Sequence, residues 1–392
     1  MSLYSLRGVS AQKEEVHKAT QNLDQGLYPH SFCKIYPDLL GGDEKWVNLM
    51  HADGAGTKSI LAYLYWKETG DLSVWKGIAQ DAIAMNLDDL LCVGIHDRIL
   101  FCSTIDRNKR LIPGEVLESI INGSQDFFEE LKKYRVDIRF LGGETADVGD
   151  IVRSIAVNGT MSVRWPKKEL VTNEKIGSGD LIVGISSAGQ SVYEKEYNSG
   201  IGSNGLTSAR HDVLEKYYAG QFPESFDPGL EQKVVYIGPH RLTDNIISQE
   251  GNSYQVGRLL LSPTRTYAPL MKALLTEHFG LVRGLIHCSG GGQTKCMKYL
   301  PEPLTIIKDN LFDPPPIFRI IQQASGSDNR EMYQVFNMGH RLEVFTHEKD
   351  AETVIAISRG YGIDARVVGR VESSGKKELV LRLPGEDILY QF

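Results

Sequence analysis

Four short stretches carry residue types that could do chemistry. The first is HADGAGTKS, residues 51–59, where Asp53 precedes Gly54, Gly56, Thr57 and Lys58. Glycines let backbone amides approach an anion, and a lysine adds a point charge. The stretch is not a Walker A loop, because Thr57 separates Gly56 from Lys58. Asp53 would repel a bare phosphate, but it makes sense beside a phosphate if a Mg²⁺ lies between them. Taken alone, a glycine turn with a surface lysine accounts for this stretch equally well.

The second stretch is DAIAMNLDD, residues 81–89. On a helix Asp81 and Asp88 fall within about 20° of each other, and Asp89 lies about 80° from Asp81. Carboxylates on one face repel unless a cation or solvent intervenes. A solvated acidic face is the commoner case, yet the neighbours here are Ala, Met, Asn and Cys rather than lysines. The third, LGGETAD (141–147), follows an apolar run and delivers Gly143, Glu144 and Asp147 into a glycine turn. Strand ends of this kind are where α/β proteins place chemistry; a polar turn capping a helix is the alternative. The fourth, HCSGGG (287–292), sets His287 ahead of Gly290 and Gly291. It suits a proton donor or phosphate ligand, or simply a hydrogen-bonded histidine at a strand end.

Together these are carboxylates suited to Mg²⁺ and glycine loops suited to phosphates, the equipment of phosphoryl transfer. No G-x-G-x-x-G follows a predicted strand, and neither HExxH nor G-x-S-x-G occurs, so dehydrogenase, zincin and α/β-hydrolase readings lose support.

The elements that must position these residues alternate between strands and helices. Residues 46–52 read as a strand running into the first glycine stretch, and a helix follows from Thr57 to Gly70. Residues 74–93 read as a helix with Ala79, Ile83, Leu87 and Leu90 on one face. Residues 117–134 give a third helix, and 137–143 a buried strand ending in the glycine pair. A second unit begins near 174, which divides the chain into 1–173 and 174–392. It holds a strand within 179–189, a helix over 263–279 with Ser262 as N-cap and Pro263 at its first position, a strand at 284–292 and a closing strand–helix–strand–strand run. The insert at 190–257 is rich in Gly, Ser, Tyr and Asn and reads as loops and short helices.

Composition narrows the class. The 392 residues suit two domains of roughly 150–200 residues each. Hydrophobic residues make up 41% and charged residues 24%, an ordinary soluble composition. A net charge of −7 argues against nucleic acid as a main partner. No run approaches the about 20 apolar residues of a membrane span, and the N-terminal stretch lacks the apolar core of a signal peptide. Cys33, Cys92, Cys102, Cys288 and Cys296 form no C-x-x-C pair. They suggest neither a disulfide framework nor a structural zinc, and a reducing cytoplasm is the expected setting.

The motifs, in order, resemble those of the aminoimidazole ribonucleotide synthetase family, the phosphoribosylformylglycinamidine cyclo-ligases of the PurM-like ATP-binding superfamily. The resemblance runs from about Tyr4 to the C-terminus. It takes in RGVS, DGAGTK, D-x-x-A-M-x-x-D-D-L, GGETAD, GDLIVGISSAG, SNGLTSAR, LSPTRTY, HCSGGG and REMYQVFNMG. DGAGTK and GGETAD are shared across much of the superfamily. The PTR, H-x-[ST]-G-G-G and EMYxxFNMG segments are similar to the cyclo-ligases more narrowly.

The resemblance implies a two-domain α/β (α+β) PurM-like fold, with the N-terminal sheets of two chains pairing as a barrel-like homodimer and an α/β C-terminal domain. It implies ATP-dependent ring closure of formylglycinamidine ribonucleotide, with neither nucleic acid nor membrane as partner. Lys58, Asp81 and His287 are then the expected catalytic groups. Asp53, Gly54, Gly56, Thr57, Lys58, Asp88, Gly143 and Glu144 would meet ATP, with Asp53, Asp81, Asp88 and Glu144 on Mg²⁺. Asp147, Ser203, Asn204, Arg265, Gly290, Gly291 and Asn337 would line the substrate. Another ATP-dependent member of the superfamily, or a non-catalytic nucleotide-binding paralogue, are the alternatives. The chain departs from the family in its greater length, in an insert over roughly 192–201, and at three motif positions. Gly202 stands where H-S-N-G has histidine, Asp88 replaces the asparagine of N-D-L, and Arg341 replaces a glycine after FNMG.

Overall fold

Period-two burial builds the first sheet. Along Ile155–Pro166, buried Ile155, Val157, Met161, Val163 and Trp165 alternate with more exposed Ala156, Asn158, Thr160, Ser162 and Arg164, as a half-buried strand requires. In the computed structural model, which describes residues 3–9, 14–248, 251–301 and 303–392, this strand lies at the centre of five. They are β1 (Tyr36–Pro37), β2 (Trp46–Gly54), β3 (Ile99–Arg107), β4 (Ile138–Asp147) and β5 (Ile155–Pro166), in the order β1-β2-β5-β3-β4. Only β3 and β4 run parallel.

Helices α1 (Lys58–Thr69), α2 (Val74–Leu91) and α3 (Gly114–Lys133) pack with this sheet. Helix α1 stops at Gly70, whose φ of 75° suits a left-handed C-cap, with its N–H bonded to Trp66 O. Helix α2 is buried almost all round. It lies between the first sheet and the second unit, so its acidic face is not solvated: Asp81 and Asp88 are fully buried.

The second sheet has seven strands: β6 (Leu181–Ser186), β9 (Gly284–His287), β10 (Thr305–Lys308), β11 (His340–Thr346), β12 (Ala365–Glu372), β13 (Glu378–Leu383) and β14 (Glu386–Gln391). Their order is β14-β13-β10-β12-β6-β11-β9. The insert contributes a two-stranded ribbon, β7 (Asn245–Ile247) with β8 (Ser253–Gln255), and the helix α4 (Leu206–Val213). Helix α5 (Ala268–Glu277) touches α2, and α6 (Glu348–Gly360) covers β6, β11 and β12.

Three local expectations change. The helix expected over 263–279 starts only at Ala268. Residues 262–267 stay irregular because their amides and hydroxyls bind the carboxylates of α2. LGGETAD is not a turn after a strand but the continuation of β4 along the sheet edge, exposed at Glu144 and Asp147. Gly142 (φ 90°) absorbs a bulge there, and a side chain at Gly143 would collide with the Ser103 carbonyl. The insert also holds the ribbon that its composition did not reveal. Of the RGVS segment, Ser10 lies outside the described residues, while Arg7 is buried and donates to Asp212 and Ser208. No described helix is long and apolar enough to cross a membrane.

Candidate active site

Alternation along β2 turns His51 and Asp53 to the same face as buried Val47 and Leu49. That face meets α2. Asn86 of α2 donates through Nδ2 to the carbonyls of Ala82, Asp53 and Gly159. Those three bonds orient its amide so that Oδ1 points at His51 Nδ1, 3.0 Å away. His51 Nδ1 therefore carries a proton, and Nε2 approaches Asp89 Oδ2 at 3.2 Å. Burial disfavours a charged imidazole here, but the bond to Asp89 and its negative charge outweigh it and raise the His51 pKa. Asp89 thus favours the charged form of His51.

Asp89 gives its other oxygen to His287, whose Nδ1 lies 2.6 Å from Oδ1. His287 Nε2 accepts from Arg341 Nε at 3.2 Å. With a donor on one ring nitrogen, the proton belongs on the other, so His287 is neutral with its hydrogen on Nδ1. Burial would raise the Asp89 pKa, yet the bonds from His287 and His51 hold it well below the ordinary carboxylate value. Asp53 goes the other way: burial and the nearby Asp89 charge raise it.

A second cluster joins α1 and α2 to the irregular segment. Lys58 Nζ bonds Asp81 Oδ1 at 2.8 Å and the Ser262 carbonyl. The same Asp81 oxygen accepts from the amide and hydroxyl of Thr264 at 2.7 and 2.6 Å. Thr264 Oγ1 lies 3.2 Å from Ser203 Oγ. Burial lowers the Lys58 pKa against the pull of Asp81. Asp88 Oδ1 accepts from Thr266 Oγ1 at 2.5 Å and from Tyr267 N at 3.2 Å, and burial raises the Asp88 pKa. Lys58 and Asp81, expected at phosphate and metal, are in this structure bound to each other and to residues 262–264.

The remaining expected residues separate. Arg265 is fully buried and holds Glu194 through Nε and Nη2, with Nη1 on the Ser186 and Ala188 carbonyls. Asn337 ties Ser187, Gly339 and Gly200. In this structure both side chains are engaged with the protein itself. Ser203 meets Thr264, and Asn204 lies beside the glycine loop, where a side chain added at Gly290 would stand 3.4 Å from its Nδ2. Gly291 takes a φ of 102° just before the short helix 292–299. Gly56 (φ 56°) turns the chain into α1, and Thr57 Oγ1 lies 2.6 Å from Thr207 Oγ1.

Glu144 and Gly54 occupy one cross-strand row, Gly54–Asn158–Thr104–Glu144. Three strand spacings put them about 14 Å apart. Asp147 is paired to Arg107 and Lys109 on the surface. The edge carboxylates are thus not gathered with His51, Asp89 and His287.

Sequence reasoning missed His51, Asp89, Thr264 and Thr266. The signal for His51 was its place two residues before Asp53 on one strand face. For Asp89 it was the same angular offset that set it apart from Asp81: that offset turns it toward β2 and β9 rather than toward residues 262–267.

The donor set suits a hard cation. Asp81 Oδ2 and Asp88 Oδ2 are buried oxygens with no hydrogen-bond partner among the described residues, and unpaired buried carboxylate oxygens are costly.

Comparison with known proteins places this geometry. Two family profiles match: AIR synthase related protein, N-terminal domain, over residues 38–162, and AIR synthase related protein, C-terminal domain, over 177–382. The chain belongs to the AIR synthase related family. The N-terminal match contains His51, Asp53, Lys58, Asp81, Asp88 and Asp89, and the C-terminal match contains Arg265, His287 and Arg341. The two clusters therefore draw residues from both matched regions of this family.

The chain is 31% identical to the phosphoribosylformylglycinamidine cyclo-ligase of Methanocaldococcus jannaschii, over 83% of this chain and 78% of that protein. It is 28% identical to the enzyme of the same name from Methanosarcina barkeri, over 96% and 98%. Among solved structures it resembles phosphoribosylformylglycinamidine synthase II from Thermotoga maritima, with TM-score 0.55 and 14% identity over 99% of this chain. It spans only 50% of that protein. AaThiL complexed with AMPPCP and TMP matches with TM-score 0.53 and 11% identity, over 96% of this chain and 95% of its own. At such identities these likenesses show the fold alone.

Proposed function

We propose that the chain is an ATP-dependent cyclo-ligase that converts formylglycinamidine ribonucleotide to aminoimidazole ribonucleotide, releasing ADP and phosphate. The observation that carries this reading is the similarity, over most of both chains, to relatives named for that activity. The chemistry is consistent with the cleft. An amide oxygen is a poor leaving group until it carries a phosphoryl group. ATP supplies that group to the formyl oxygen, an amidine nitrogen attacks the formyl carbon, and the C–O bond breaks to release phosphate. Positioning and neutralisation of charge do most of this work.

On this reading residues 1–173 bind ATP and form the dimer, and residues 174–392 complete the cleft. Asp53, Asp81 and Asp88 are the carboxylates that would hold Mg²⁺, with Asp81 and Asp88 each offering a buried oxygen without a hydrogen-bond partner among the described residues; the metal would neutralise phosphate charge. Asp81 uses only Oδ1 to hold Lys58, and Glu144 would act separately at the sheet edge. The homodimer is supported by the outward face of the first sheet, where Met50, Leu100 and Leu141 are 71, 43 and 59% exposed. A reducing cytoplasm suits the five free cysteines.

The test is turnover. Purified protein with ATP, Mg²⁺ and formylglycinamidine ribonucleotide is expected to yield aminoimidazole ribonucleotide and ADP in equal amounts. ADP without the imidazole product would reject this substrate while leaving another ATP-dependent reaction open. ATP affinity is expected to fall strongly when Mg²⁺ is chelated. Unchanged affinity would remove the metal role from Asp53, Asp81 and Asp88.

A further inference from the structure

Residues 262–267 belong to no helix or strand, yet each carbonyl from Ser262 to Thr266 accepts a side-chain hydrogen bond. The donors, in that order, are Lys58, Asn198, Gln80, Arg341 and Tyr193. Buried backbone groups must find partners somewhere. Here side chains, rather than a ladder or a helical turn, set the path of the chain. Asn198 and Tyr193 come from the insert, and Tyr193 Oη lies 2.6 Å from the Thr266 carbonyl.

The insert also supplies Glu194, the only carboxylate paired with Arg265 among the described residues. Arg265 Nε lies 3.0 Å from both Glu194 oxygens, and Nη2 lies 2.5 Å from Oε2. The Ser191 amide and Asn198 Nδ2 hold the same carboxylate at 2.7 and 3.0 Å. Arg265 stands between Thr264, which binds Asp81 Oδ1, and Thr266, which binds Asp88 Oδ1. Each threonine thus takes one oxygen of its carboxylate and leaves Oδ2 without a hydrogen-bond partner among the described residues. Asp88 Oδ2 faces the Arg341 guanidinium at 3.9 Å.

We propose that Glu194 and Tyr193 of the insert are positioning residues for the cation site. By anchoring Arg265 and the Thr266 carbonyl they fix the two threonines, and the threonines turn Asp81 and Asp88 so that each presents Oδ2 to Mg²⁺. They act through the main chain of 264–266 rather than on the metal. The inference rests on the reading of Asp53, Asp81 and Asp88 as Mg²⁺ carboxylates.

The test is the ATP affinity of the full-length protein, measured calorimetrically with Mg²⁺ and again with EDTA. The ratio of the two Kd values isolates the contribution of the metal. A variant that merely loosens the fold weakens both and keeps the ratio; lost positioning shrinks it. Glu194→Gln is expected to shrink the ratio by about tenfold, the lower end of what a residue behind a metal ligand contributes. Glu194→Asp keeps the charge and should shrink it less. Tyr193→Phe removes only the hydroxyl bond to Thr266 and should move the ratio the same way by a smaller factor. A wild-type ratio kept by both Glu194→Gln and Tyr193→Phe overturns the inference and leaves the metal reading standing. Should Glu194→Gln not fold, Tyr193→Phe alone decides it. A ratio near one in the wild type ends the metal reading, and this inference with it.

Discussion

His287 and Asp89 stand 198 positions apart in the chain, and their side chains meet at 2.6 Å. The bond joins the second sheet to a helix of the first unit, and His51 holds the other Asp89 oxygen. Asp89 resists the upward pull of burial because these two donors stabilise its charge, so its folded pKa lies below 3.8. A depressed carboxylate stabilises the fold above its unfolded pKa, and that stability is lost as pH falls through the folded value. Asp89→Asn should cost about 3 kcal/mol at pH 7, since it removes the charged partner of both His51 and His287. Urea unfolding should show the gap to wild type narrowing below about pH 4. A constant gap would mean that the bond does not depend on charge.

His51 predicts the opposite slope. Its pKa is raised above 6.5, so its contribution is complete below the unfolded value and disappears as pH rises through the folded one. His51→Gln should be less stable than wild type at pH 6 and close to it at pH 9. Thermal melts at the two pH values check this. An NMR titration placing the His51 pKa below 6.5 would refute the upward shift that Asp89 causes.

Lys58 and Asp81 are a fully buried pair. Removing one partner leaves a charge with no compensation, so Lys58→Met should cost about 3–5 kcal/mol. Asp81→Leu should cost a similar amount and also free the Thr264 amide. The double variant should recover part of the loss, because no isolated charge remains. A double-mutant cycle from denaturant unfolding measures the coupling. Strictly additive losses would show that the pair does not act as a unit.

Local chemistry made much of this legible. Gly70 marked the end of α1, alternation marked β2, and the four quoted motifs all lie on or beside the elements expected of them. The long-range chemistry was not legible. Pro263 and Ser262 have good helix-start chemistry, but the α2 carboxylates take the amide and hydroxyl groups of residues 264–267, so the helix waits for Ala268. Arg265 was expected at the substrate from the resemblance alone, and its partner Glu194, 71 positions away in the insert, could not be read from the motif. The LGGETAD glycines were read as a turn, whereas here they allow a bulge and a close approach to β3. Sequence spacing could not reveal which partner each polar group would meet.

The exposed face of the first sheet yields the last prediction. Met50 and Leu100 both lie opposite Ser162 of β5, so they share one row of the sheet on the face away from the helices. Leu141 lies beyond them on the edge strand. Apolar side chains in adjoining rows of an uncovered sheet are the mark of an interface rather than of a free surface. If two copies pair there, a charge placed at the centre would be desolvated without a partner. Met50→Lys should then convert a dimer to a monomer, read by light scattering after size exclusion. Thr69→Lys, at the far end of α1, should leave the dimer intact. A wild-type chain that stays monomeric at micromolar concentration, or a Met50→Lys dimer, would reject this face as the interface.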